Sequence, residues 1–489
     1  MKHFKYLIFA VTGCIFLSCD TEEFLNPLPE TAVAVEAFYQ TDQDVLTGVI
    51  GIYDALQGVN ENTTTSIGRS NRGVQFEHLL TEHRTDNTRN ATLEGSKSDF
   101  HRYLVNANNV ESEDYWQSMY EVIFRANNIL DFIDIADENN QASYAAEAKF
   151  LRAYAYFNLV RLFGDVPLVT RVVNPEENEL LFTRIATAQV YEQIVADLQE
   201  AVSVLNNGSK SRASKAAAQA LLAKVYLTQA NPNYTGAQQL CEAIVNGGEF
   251  SLMSDFYDVF YNELNDEIIF AIQYAAGDAN ESQSFSSEFT SAFRQGREDG
   301  QNIVNENLKA DFDAYGGNRT AVSITDLGGV LEVDENEVAK FLPEGSDITT
   351  SPPSYGGNAR NAGNDYIALR YADVLLMHAE AILAGGTETT SESAIDSYME
   401  VKVRAGFDPV ADRPALLTRD ALLLERRVEL AFENQRWFDL IRFGVADDVL
   451  SAHATEMGYV DYSTRALLLP IPAREINLSR GILTQNPGY

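Results

Sequence analysis

Cysteine, tryptophan, histidine and positive charge are all scarce in this chain. The three cysteines are Cys14, Cys19 and Cys241. Two lie within the first twenty residues, which leaves Cys241 without a partner and excludes a disulfide framework. At 489 residues and 45% hydrophobic composition the chain can build a core without one, and global disorder is excluded as well. Lys and Arg total 36 against 71 Asp and Glu, a formal charge of −35. Such a surface repels polyanions, so the charge balance disfavours nucleic acid and none is expected as a partner. Catalytic signatures are missing too: the sequence has no G-x-S-x-G, H-E-x-x-H, Walker or G-x-G-x-x-G pattern. His78 and His83 imitate a zinc motif but stand five apart, which on one helix puts them on different faces. Asp311 to Gly316 imitates the start of a calcium loop, but its twelfth position is Val322 instead of Glu. The reading is a protein that is not an enzyme and needs no cofactor, with no metal site assigned and a structural calcium left open.

What is present begins with an address. Lys2 and Lys5 precede the short apolar stretch Tyr6 to Leu17, too short to span about 30 Å of hydrocarbon and typical of a signal peptide. Phe16-Leu17-Ser18-Cys19 resembles a bacterial lipobox, so residues 1–18 are read as a lipoprotein signal peptide and Cys19 as the lipidated residue. Val11 to Cys14 fits the pattern better locally but leaves too short an apolar run before it. Asp20, Glu22 and Glu23 then form a solvated tether, and Phe24 to Pro29 continues it as an extended, proline-punctuated segment.

Residues 19–489 read as one mainly α domain. Apolar residues at spacings of three and four predict helices over about 32–57, 113–136, 143–163, 187–205, 211–229, 236–246, 366–383, 391–405 and 419–443. Short turns between them imply stacked helix pairs, and the small-and-aromatic pattern of Ala148 to Phe157 and Ala216 to Tyr226 marks a degenerate tetratricopeptide-like scaffold. Two loop-rich regions, about 60–110 and 277–364, interrupt the rhythm, with a few short strands such as Glu267 to Tyr274 and Ala321 to Val333. Glu425, Arg426, Glu429, Arg436, Asp439 and Arg442 alternate in sign at helical spacing, and the expectation there is a structural ion-pair lattice.

Several segments together resemble one family. Ala146 to Phe157 followed by Phe163-Gly164-Asp165-Val166-Pro167-Leu168, Arg370 to Ala381, Glu425 to Glu433 with Arg436 to Arg442, Leu469 to Pro472 and Gln485 to Tyr489 are similar to the SusD/RagB outer-membrane nutrient-binding lipoproteins, in order along the chain. The resemblance implies a cell-surface lipoprotein on the extracellular face of the outer membrane. It implies capture of oligo- or polysaccharide and its delivery to a SusC-like TonB-dependent transporter. Peptide uptake of the RagB kind is the alternative.

Sugar recognition needs aromatic faces with amides, carboxylates and guanidinium groups beside them. Both tryptophans, Trp116 and Trp437, fall in scaffold helices, so the stacking residues are sought in the loops. Arg84-Thr85-Asp86-Asn87 resembles the loop where relatives set an Arg/Asp/Asn cluster against sugar. The ligand-binding candidates are therefore Arg72, Phe76, His83, Arg84, Asp86, Asn87, Tyr315 and Tyr355. Arg69 to Arg102 holds six basic and five acidic residues, a basic island in an acidic chain. Because Arg forks match carboxylate and sulfate, the island raises an acidic glycan, such as a uronate polymer, as one reading. The other is that these arginines pair with the five neighbouring acids and the ligand is a neutral glucan or fructan.

Overall fold

The computed structural model describes residues 38–60, 71–91, 95–174, 176–278, 280–295, 302–328, 333–347 and 354–489. Cys19 and the signal segment lie outside these residues.

The described chain is mainly helical. The first long helix among the described residues, α1 (Asp42–Gln57), is capped by Thr41: Thr41 Oγ1 accepts from the Asp44 amide and the Asp44 carboxylate accepts from the Thr41 amide. The part of the expected helix before residue 38 lies outside the described residues. Gly58 ends it at φ 71°, where an added Cβ would strike the Arg72 backbone at 2.2 Å. Then come α2 (Val110–Asp131), α3 (Glu138–Phe163), α4 (Thr187–Val204), α5 (Lys215–Thr228) and α6 (Tyr234–Gly247), each packed on the one before. The chain returns after a long insertion as α7 (Tyr371–Leu383), which packs on α6, and α8 (Glu392–Arg404), which packs on α7. This is the succession of stacked helices that the periodicity predicts. The small residues of α3 and α5 are buried almost throughout, so these two helices lie between neighbours on both sides.

Two expected helices differ. Tyr366 to Arg370 is a strand, β6, paired antiparallel with β2 (Ile268–Ile272). Both are apolar and sheltered, and Arg370 at the end of β6 is drawn into the interior by carboxylates. The expected helix over 419–443 is broken into α9 (Arg419–Glu429) and α10 (Arg436–Arg442). Phe432 and Asn434 between them sit in the left-handed region, and Lys340 and Arg370 donate to the carbonyl of Glu429 that helix continuation would occupy.

The loop-rich regions are joined to each other by a small sheet that the sequence did not make readable. β1 (Thr88–Asn90), β3 (Asn302–Val304), β5 (Asn336–Val338) and β4 (Ile324–Asp326) pair antiparallel in that order. Arg89 is opposite Ile303, and Thr88 and Asn90 on either side of it are buried.

Candidate functional site

The loop that carried most of the candidates turns inward. A four-residue helix over Glu77–Leu80 stops at Thr81, and a 3₁₀ turn over Glu82–Arg84 follows. The change of direction brings His78 and His83 together, ring centroids 5.7 Å apart, which a continuous helix would not allow. Among the described residues no group of three or more metal-ligating side chains is arranged to hold an ion.

Phe76, His83, Arg84, Asp86 and Asn87 are all buried. The expectation that they line a solvent-facing site is corrected on that ground. Arg84 lies 3.8 Å over the Trp437 ring and donates to the carbonyls of Leu80 and Ala466. Burial lowers its pKa to about 10. Asp86 accepts a fork from Arg436, both bonds 2.9 Å, and lies 2.9 Å from Arg427. Burial alone would raise Asp86, but these two guanidinium groups hold it well below the usual carboxylate range. Asn87 donates to Glu82 and accepts from Arg427, both at 2.8 Å. Glu82 itself is pushed up to about 7 by burial, against the pull of its bonds from Asn87 and the Phe432 amide.

Arg72 and Tyr315 keep contact with water. Arg72 is half-buried and donates to the Val59 carbonyl at 3.1 Å; Tyr315 is exposed at the end of a helix over Glu306–Tyr315. Arg72 lies 5.9 Å over the ring of Phe76, one of the buried five. Tyr355 ends a two-residue strand paired with Ser346–Asp347.

The signature helices α9 and α10 supply the rest of an interior lattice. Glu429 is met by Arg319, Arg370 and Arg404, and Arg370 also reaches Glu267 and Glu433. Arg426 bridges Asp373 and Asp439, and Arg442 joins Asp439 to Glu380. The sign alternation thus predicts a lattice correctly, but most of its partners are distant in sequence. Asp311, from the imitation calcium loop, pairs with Arg427.

Solvent enters an open cleft elsewhere. It has a volume of about 630 Å³ and is walled by the turn over 259–264, by β2 and the residues after it, and by the segments 343–344 and 357–367. Gln57, at the end of α1, reaches in and donates to the Gln273 carbonyl and to Glu281, at 2.8 and 3.1 Å. Asn60 ties the 358–361 segment to the wall through its bonds to the Arg360 carbonyl and Ser282, at 2.7 and 3.0 Å. Asp365 accepts from the Tyr274 amide at 3.0 Å. Burial raises its pKa to about 7, and the charge of Glu263 adds to the rise. Among the described residues the lining contains Glu263, Glu281, Glu344 and Asp365, with the amides of Gln57, Gln273, Asn262, Asn361 and Asn364, and no Lys or Arg.

At the cleft wall Tyr261 stacks on Tyr257, ring centroids 4.2 Å apart and planes 13° from parallel. The Tyr261 hydroxyl donates to the Leu342 carbonyl at 3.0 Å, which fixes the inner ring; Tyr257 is 41% exposed. Leu264, which also lines the cleft, is held at φ 49°. Sequence reasoning missed this pair. The available signal was two tyrosines four apart in Tyr257-Asp258-Val259-Phe260-Tyr261, a spacing that stacks rings on a short helix.

Comparison with known proteins agrees with this architecture. The model of the "SusD family" matches residues 338–489, and one described as "Starch-binding associating with outer membrane" matches residues 44–227; together they span more than half of the chain. SusD-like protein P2 of Formosa agariphila is 29% identical, over 100% of both chains. A SusD-like protein of Bacteroides ovatus is 25% identical, over 89% of this chain and 82% of its own. Among solved structures, a laminarin-binding SusD-like protein superposes with a TM-score of 0.74 at 26% identity, covering 92% of this chain and 100% of its own. Surface glycan-binding protein A of Bacteroides thetaiotaomicron shares the fold, with a TM-score of 0.75 at 22% identity, over 92% of this chain and 100% of its own.

Proposed function

The chain belongs to the SusD family, and on that premise we propose that it captures oligo- or polysaccharide at the cell surface and passes it to a SusC-like TonB-dependent transporter. It does so by binding alone, without chemistry. It is anchored through lipidated Cys19 on the extracellular face of the outer membrane. The observation that carries the reading is an open cleft of about 630 Å³, rich in hydrogen-bonding groups, on a chain built along 92% of its length like a laminarin-binding protein. Amides and carboxylates grouped in a concave wall suit a polyhydroxylated ligand, which needs many donors and acceptors at once.

An acidic glycan is the second reading. What favours it is Arg89, which keeps partial exposure between two buried neighbours on β1, beside Arg102 on an otherwise acidic protein. Arg72 is the other candidate from the island with a part in this reading, and Tyr315 and Tyr355 are the aromatic candidates that remain for either.

Affinity electrophoresis through laminarin and through a uronate polymer, at low and high salt, tests both readings. Retardation by laminarin at both salt concentrations supports the first; retardation by the uronate that vanishes at high salt supports the second. Retardation by neither overturns both. Purification in mild detergent is expected to recover an equimolar barrel protein, and Cys19→Ala to release the chain into the soluble fraction.

A further inference from the structure

The cleft has one aromatic feature whose construction exceeds what packing requires. Tyr261 is half-buried, and its hydroxyl is held by the Ala339 and Leu342 carbonyls at 3.3 and 3.0 Å. Tyr257 lies flat upon it and turns its other face to water. Its backbone is fixed as well, since its amide donates to Asp255 at 3.0 Å. A large exposed ring costs solvation, and this one is kept rigid by a second ring beneath it. A flat, fixed aromatic face suits the axial C–H face of a pyranose ring, which needs a planar apolar partner and little reorganisation. Tyr261, on which Tyr257 is stacked, itself lines the cleft, so platform and cleft adjoin.

The lining speaks to ligand charge. Its charged groups are Glu263, Glu281, Glu344 and Asp365, with no Lys or Arg among the described residues that form it. Carboxylates accept strongly from sugar hydroxyls and repel uronates and sulfates at close range. The cleft volume lies within the range of small-ligand sites, about 300–1,000 Å³.

We propose that Tyr257, braced by Tyr261, is a stacking platform for a sugar ring of an uncharged glycan whose hydroxyls are held by the amides and carboxylates of the adjoining cleft. This rests on the glycan-binding reading above and narrows it to one place and one ligand charge.

Isothermal titration with a panel of neutral hexasaccharides and an oligouronate of equal length tests it, on the wild type, Tyr257→Ala, Tyr257→Phe and Tyr257→Trp. The wild type is expected to bind a neutral hexasaccharide with an affinity that salt leaves unchanged. Tyr257→Ala is expected to lose about tenfold or more, and Tyr257→Phe to keep most of the affinity. Tyr257→Trp places an exposed indole in a chain whose two tryptophans are buried, so its fluorescence should change on ligand addition. Unchanged binding by Tyr257→Ala, or no fluorescence response from Tyr257→Trp at saturating ligand, overturns the platform and leaves glycan binding standing. Binding of the oligouronate alone overturns the uncharged ligand and supports the acidic reading. Binding of no glycan by the wild type overturns the proposal together with the function it rests on.

Discussion

The interior lattice and the cleft use carboxylates in opposite ways. In the lattice each buried acid meets guanidinium or ammonium groups: Glu429 meets three arginines, Asp373 meets Lys224 and Arg426, and Asp86 meets Arg427 and Arg436. In the cleft the carboxylates stand among amides, without a Lys or Arg among the described residues of the lining, and Asp365 is pushed toward protonation. Paired charge holds loops and helices in register, whereas unpaired charge keeps hydrogen-bonding capacity for something else. The basic island shows how sequence alone confuses the two. Its Arg84 reads as a ligand group, yet it is spent on Trp437 and on two carbonyls.

The largest effect is expected at the lattice hub. Glu429→Gln removes the charge that Arg319, Arg370 and Arg404 share, and leaves buried guanidinium groups short of countercharge. A loss of about 3–5 kcal/mol is expected, because breaking a buried pair by removing one partner leaves the other uncompensated. Denaturant unfolding of the variant measures it. A loss under about 1 kcal/mol would mean that Glu425, Glu267 and Glu433 neutralise the cluster on their own.

Arg84→Ala comes next. It removes a guanidinium stacked on the indole and leaves the Leu80 and Ala466 carbonyls without their donor, so a loss of about 2–3 kcal/mol in unfolding free energy is expected. Glycan affinity, measured at a temperature where the variant is folded, should not change. A folded variant that loses affinity selectively for anionic glycans would return Arg84 to the binding surface and erase the contrast between the two regions.

How much of this was legible in the sequence depends on the range of the interactions involved. The helices of the stacked scaffold are written in local periodicity, and the resemblance of Ala146 to Phe157 and of Glu425 to Arg442 pointed to the family. The break after Glu429 was not legible, because what ends that helix is Lys340 and Arg370, far away in the chain. The inward turn of the Arg84 loop was hidden for the same reason: Arg427, Arg436 and Trp437 make its interior. Local charge balance shows that a segment is basic but not which way it faces. Tyr257 and Tyr261 were legible as a spacing, and only the fold shows which of the two rings meets water.

The two regions also differ in how they respond to acid. His101 is buried near Tyr459, and burial first, then the charges of Arg102, Arg89 and His453, lowers its pKa to about 3. An unfolded histidine titrates near about 6.5. Between those values the unfolded chain takes up a proton that the folded chain refuses, so stability falls as pH drops from about 6.5 to about 3. Thermal unfolding across that range should show the slope, and His101→Phe should flatten it by about 3 kcal/mol at pH 4. An unchanged slope would assign the acid sensitivity to His83 and His453, which burial also lowers.

The smallest effect is the one that separates the regions most cleanly, because Asp86 and Asp365 shift in opposite directions. Asp86 is held low in the fold by its arginines, so its contribution is present at neutral pH and is lost as pH falls below the usual aspartate value toward its own. Asp365 is raised to about 7, chiefly by burial. Above an unfolded value near about 3.9 the unfolded chain releases a proton that the folded chain retains, so the Asp365 contribution declines as pH rises from there to about 7. Asp365→Asn keeps an oxygen for the Tyr274 amide and removes the titration. It should therefore raise the melting temperature slightly at pH 8, by about 1 kcal/mol in stability, with less gain at pH 4.5. Asp86→Asn should do the reverse, costing most at pH 8 and least in acid. If both variants lost stability at pH 8, Asp365 would be held by a cation as Asp86 is, and the cleft would no longer differ in kind from the interior.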